Sequence, residues 1–143
     1  MGLSDDMRAA LQARDYASLI EAVPYARTIG MSCESFGHEV VFRLPNLESN
    51  MGNPILPAIH GGVIGGFLEM SAMIHLMMSQ DTPRLPRIVD FSLDYLRAAL
   101  DRLTFCECRV TRQGNRVANV SVTAWQESRS KPIATARAHF IMD

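Results

Sequence analysis

The chain has 143 residues, 48% of them hydrophobic and 20% charged, and a formal net charge of -1. That length fits a single domain, 1–143, able to bury a core, and the composition is globular rather than disordered. The near-neutral balance argues against a nucleic-acid binder with its basic stripe, although a few local arginines can still hold a small phosphorylated ligand.

The first residues, Met1 to Asp6, are acidic and lack the apolar stretch of a secretory signal. Leu3, Met7, Ala10 and Leu11 follow helical spacing, and Ser4, Asp5 and Asp6 suit the helix start by capping and by the helix dipole. Residues 16–22 predict a second short helix, stopped by Pro24. Together, 1–24 form an N-terminal helical arm, a lid or packing element, ahead of a core over 25–143. Residues 28–33 and 39–44 read as strands joined by a hairpin turn at 35–38. The stretch 45–57 is rich in Asn, Gly and Pro and reads as a loop. A helix is expected over 60–79. Strands follow at 88–95, 103–111, 116–126 and 133–141, with turns at 112–115 and 128–132.

The long helix is apolar nearly all round, so it must be buried, and an antiparallel sheet curling around it is the natural arrangement. The expected fold class is therefore α+β. A membrane span is not expected: residues 55–78 contain His60, Glu69, His75, four glycines and Pro57. The chain reads as soluble and cytoplasmic. Cys106 and Cys108 would share one face of a strand; without a second Cys/His cluster they read as small buried hydrophobes in a reducing compartment, and no metal is expected.

Two features of the segment from Asn53 to Glu69 point to chemistry. Gly61 and Gly62 sit where loop becomes helix. The first amides of a helix lack internal partners, and glycine lets a ligand approach them, so this is a candidate oxyanion hole. Helix packing explains the same glycines equally well, because Gly61/Gly65 and Gly62/Gly66 are small pairs one turn apart. Glu69 is a carboxylate on a helix expected to be buried, so it needs a partner, such as Arg97 or Arg137, or a catalytic task. His60 can cap the helix, and His75 reads as a satisfied core or interface histidine. Gly61 and Glu69 are eight positions apart, roughly 12 Å along a helix. Serving one carbonyl therefore requires Glu69 from a second subunit, and hence a homodimer or a homotetramer built from dimers.

The pattern Asn-x6-His-Gly-Gly-x6-Glu resembles the PaaI-type hotdog thioesterases, as do the strand Val89-Asp90-Phe91-Ser92-Leu93-Asp94-Tyr95-Leu96-Arg97 and the turn from Arg112 to Arg116. The resemblance runs from about residue 25 to 142. It implies a hotdog fold, a sheet wrapped around the long central helix, and hydrolysis of acyl-CoA thioesters without a cofactor. It also implies Glu69 as base or nucleophile, the Gly61 amide as oxyanion donor, and Asn53 as a helper that places thioester or water, with Asn50 the weaker match. His60 would orient the loop or assist the leaving thiolate. Gly62 would support Gly61, and Arg97, Arg112 and Arg116 are candidates for the CoA phosphates. The chain departs from the family pattern in carrying Glu where Asp is common, in the spacing of Asn53, and in having Ile88 where some members carry Ser or Thr. Two other readings compete: an acyl-thioester hydratase or dehydratase, disfavoured because residues 46–52 contain no His, and a non-catalytic acyl-CoA-binding protein. No Gly-x-Ser-x-Gly elbow or phosphate loop is present.

Overall fold

The computed structural model describes residues 2–142. Helix α1 (Asp5–Gln12) starts at Ser4, whose hydroxyl accepts the Met7 amide at 3.2 Å, and its first turn carries Asp5 and Asp6. Helix α2 (Tyr16–Glu21) is capped by Asp15. Pro24 does not end the arm. It occupies the first turn of a third helix, α3 (Pro24–Ile29), where its fixed φ suits the helix and its missing N–H costs nothing. Gly30 ends α3 in the left-handed region at φ 76°. The strand expected over 28–33 is thus corrected: Thr28 and Ile29 are helical, and β1 covers only Ser32–Phe36. Gly37, at φ 64°, makes the turn into β2 (Glu39–Leu44).

A 3-10 turn (Glu48–Asn50) and a short strand, β3 (Met51–Asn53), occupy the expected loop, and a second short strand, β4 (Ala58–Ile59), follows it. Helix α4 spans Gly61–Met78, and the strands β5 (Pro86–Tyr95), β6 (Thr104–Gln113), β7 (Val117–Trp125) and β8 (Pro132–Met142) complete the chain. The six long strands form one antiparallel sheet in the order β1-β2-β6-β7-β8-β5. The hotdog arrangement expected from the sequence is what forms: the sheet wraps α4, α2 and α3 pack against α4, and α1 packs against α2.

Strand alternation decides what faces the helix. In β8, Ala134, Ala136, Ala138 and Phe140 point inward, while Arg137 is exposed. With Ala118 and Ala124 of β7, these small side chains let a helix bearing Phe67, Leu68, Ile74 and Leu76 lie close to the sheet. By length and composition alone α4 could cross a membrane. Half of it is buried inside this protein, as in the core helix of a globular fold. The sheet covers α4 on one side only. Gly66, Glu69, Met70 and Met73 are part-exposed, so the expectation of a fully buried helix is corrected.

Cys33, Cys106 and Cys108 are free thiols. Burial pushes Cys108 well above its ordinary value and raises Cys33, so neither offers a ready thiolate.

Candidate active site

His60 is the N-cap of α4, and its Nδ1 accepts the Gly62 amide at 2.9 Å. In the neutral ring that places the proton on Nε2. The backbone of His60 is held on both sides. Its amide donates to the Asn50 carbonyl at 2.8 Å, and its carbonyl accepts the Val63 and Ile64 amides at 3.0 and 3.1 Å. Gly52 lies against it so closely that a Cβ there would stand 2.7 Å from His60 Cα.

The Gly61 amide, in contrast, makes no hydrogen bond among the described residues. Gly61 is one of the residues lining a cavity of about 370 Å³, with Ile59, Ile64, Tyr95, Arg97 and Ile133 among the others. The far wall is anchored: the Ile59 amide donates to the Ala99 carbonyl at 2.7 Å, and Gln126 Nε2 donates to the Leu100 carbonyl at 2.9 Å. The structure therefore brings Gly61, His60 and Arg97 to one end of α4. Of the two glycine amides only that of Gly61 is available, because His60 engages that of Gly62. One guanidinium nitrogen of Arg97 donates to the Pro132 carbonyl at 2.6 Å.

Glu69 lies two turns further along α4, on the side that the sheet leaves uncovered. It is half-buried, and its side chain forms no ion pair or hydrogen bond among the described residues. The expected pairing with Arg97 or Arg137 is absent: Arg97 reaches Pro132, and Arg137 stands exposed on β8 between Ser92 and Ser121.

Asn53 turns its side chain onto its own loop, where Oδ1 accepts the amides of Ile55 and Leu56 at 3.0 and 3.1 Å. Asn50 is 2% exposed and donates to the carbonyls of Ile29 and Pro45, at 2.9 and 3.3 Å, tying α3 to the site loop. Arg112 and Arg116 flank the β6–β7 turn, at the end of the sheet where β5 begins. Tyr95 pairs with Ala134 at the other end, nine strand residues away from Pro86, roughly 30 Å at the rise of a strand. Within one protomer these two arginines do not reach the Gly61 cavity.

The glycine pairs do not receive another backbone. A Cβ at Gly61 would meet Tyr95 Oη at 3.3 Å, one at Gly65 would meet Leu93 Cδ2 at 3.3 Å, and one at Gly66 would meet Tyr25 Cε2 at 2.6 Å. Tyr95 joins the site without having been expected there. Its hydroxyl donates to the Gly61 carbonyl at 2.6 Å. The signal for it is period-2 alternation: Phe91, Leu93 and Tyr95 share the helix-facing side of β5. His75, expected to be satisfied, is half-buried with no partner for Nδ1, and burial lowers its pKa.

The profile of the thioesterase superfamily matches residues 56–133, more than half of the chain. Among solved structures, a Chromobacterium violaceum protein is 43% identical, with 98% of each chain covered and a TM-score of 0.79. A phenylacetic acid degradation-related protein from Ralstonia eutropha is 21% identical, covering 88% of this chain and 98% of its own, with a TM-score of 0.74. A Bacillus halodurans protein solved with CoA is 16% identical, covering 97% of this chain and 87% of its own, with a TM-score of 0.71. No curated protein matches the chain. Helix α4, strands β5 to β7 and the segment from Ile59 to Glu69 fall within residues 56–133, and the chain belongs to the thioesterase superfamily.

Proposed function

We propose that this chain hydrolyses acyl-CoA-type thioesters as a homodimer or a homotetramer built from dimers, in the cytoplasm and without metal or cofactor. Glu69 is the base or nucleophile, and the Gly61 amide is the oxyanion donor. The observation that carries the reading is the unpartnered amide of Gly61, a residue that lines a cavity, while the His60 backbone, His60 Nδ1 and the Gly62 amide are engaged. An amide fixed in this way is already oriented toward charge that develops on a carbonyl oxygen.

The two-subunit site follows from the distance between Gly61 and Glu69 on one helix. Strand β5 supports it, offering an uncovered edge of ten residues with Val89 54% exposed. Antiparallel pairing of two such edges about a twofold axis sets the α4 helices antiparallel, so that Gly61 of one protomer meets Glu69 of the partner subunit. It also carries the Arg112 and Arg116 end of one sheet toward the Arg97 end of the other. These arginines then hold phosphates of the CoA-type carrier, and the CoA-bound Bacillus halodurans relative favours that carrier.

In the general-base route, Glu69 takes a proton from water, and the hydroxide adds to the thioester carbonyl. The oxyanion rests on the Gly61 amide, and collapse expels the thiolate. As nucleophile, Glu69 instead adds to the carbonyl, expels the thiolate and leaves an anhydride that water cleaves. In this reading His60 Nε2–H donates to the departing sulfur. Asn53 contributes by shaping the loop into His60.

The test is thiol release from short, long and aromatic acyl-CoAs by wild type and Glu69→Gln. Turnover that falls at least about a hundredfold in a folded mutant is the expected result. Unchanged turnover removes Glu69 from the mechanism. Binding without turnover by wild type moves the assignment to an acyl-CoA-binding or hydratase protein.

A further inference from the structure

The phenol of Tyr95 belongs to a chain of hydrogen bonds through a single peptide unit. Tyr95 Oη donates to the Gly61 carbonyl at 2.6 Å, and the amide on the other end of that peptide, Gly62 N–H, donates to His60 Nδ1 at 2.9 Å. A carbonyl that accepts a hydrogen bond polarises its own peptide, so the N–H across it becomes the stronger donor. The glycines make room for this arrangement. A side chain at Gly61 would stand 3.3 Å from the Tyr95 hydroxyl, and one at Gly62 would stand 3.0 Å from His60 Nδ1. Tyr95 is 57% exposed, so burial of its ring is not what holds it there.

We propose that Tyr95 is a positioning residue: through the Gly61–Gly62 peptide it fixes the orientation and tautomer of His60 and the plane of the first turn from which the Gly61 amide projects. This rests on the reading of Gly61 as oxyanion donor and His60 as the group that meets the leaving thiolate. The His60 tautomer depends on the strength of the bond it accepts from Gly62. With Nδ1 held as acceptor, Nε2 carries the proton and can donate it. When that bond weakens, the ring can also carry its proton on Nδ1, where it is of no use to the sulfur.

The experiment compares wild type, Tyr95→Phe and Glu69→Gln. Tyr95→Phe keeps the ring and removes only the hydroxyl, and its unfolding temperature is checked first. Nitrogen-15 spectra are expected to show the Gly62 amide resonance displaced, and the His60 ring nitrogens changed from one tautomer to a mixture. With an acyl-CoA that wild type turns over, kcat is expected to fall about tenfold, on the scale of one lost hydrogen bond, with KM within about twofold. A folded Tyr95→Phe with unchanged kcat overturns the proposal. So does a raised KM at constant kcat, which would make the hydroxyl a substrate contact. The parent reading fails separately, through a wild type that releases no thiol or a Glu69→Gln protein of full activity. The spectra then judge the link from Tyr95 to His60 alone, and an unmoved Gly62 resonance with an unchanged His60 ring refutes it.

Discussion

Gly52→Ala isolates the close approach of β3 to the start of α4. A Cβ at residue 52 would lie 2.7 Å from His60 Cα, 2.9 Å from His60 Cβ and 3.1 Å from His60 Cδ2. The first of these is backbone, and that backbone is held by the Asn50 carbonyl and by the first turn of the helix. No side-chain rotation relieves the clash, so β3 and β4 must separate. Overpacking of this kind costs about 1–3 kcal/mol. At about 2.1 cal/mol/K per residue, 143 residues unfold with an entropy of roughly 0.3 kcal/mol/K. The expected drop in Tm is therefore about 3–10 °C, measured by thermal unfolding at fixed protein concentration. Gly65→Ala is the control. There the new Cβ meets only Leu93 Cδ2 at 3.3 Å and Tyr95 Oη at 3.8 Å, both ends of side chains, and the helix gains about 1 kcal/mol of propensity. A Gly52→Ala protein melting within about 1 °C of wild type would refute the reasoning that His60 is seated against a fixed backbone.

Asn50→Ala removes the donor to the Ile29 and Pro45 carbonyls and is expected to cost about 1–3 kcal/mol in urea unfolding, because the groups left behind are buried. His75 has a lowered folded-state pKa because burial opposes its charge. The unfolded chain therefore binds the proton first: stability is full above the ordinary value of 6.5 and is lost as pH falls through the folded pKa, at no more than about 1.4 kcal/mol per pH unit. Urea midpoints at pH 8 and pH 5 should converge in His75→Met. Arg97→Lys keeps the charge but loses the planar fork, and it is expected to raise KM for acyl-CoA several-fold with little change in kcat, read from initial rates.

Patterns that repeat along the chain are legible in the residues themselves. The four strands after the long helix show alternation and turn residues, and the end of α4 at Met78 lies one residue from its expected limit. Residues 24–33 are harder, because a proline that stops one helix equally starts the next from its first turn. The left-handed Gly30 settles which applies. The glycines of α4 show that something approaches closely, but small-residue spacing does not say whether backbone or ring arrives. Tyr25, Leu93 and Tyr95 arrive from elements distant in sequence. Arg112 and Arg116 resemble companions of Arg97 in the sequence because residue type carries no information about which end of a ten-residue strand a turn occupies.

The two borders of the sheet differ in kind. Strand β1 is five residues long and carries Glu34, which is ion-paired to Arg43 at 2.9 Å. Strand β5 is twice as long, with Val89 and Tyr95 exposed. Both borders carry charge, Glu34 on β1 and Arg87, Asp90 and Asp94 on β5, so it is length that separates them, and the longer border offers another strand more unpaired backbone. If two copies join along β5, the pair presents only its two short β1 borders. In the proposed dimer, the same asymmetry in length that favours the meeting of two copies opposes growth into an open ribbon.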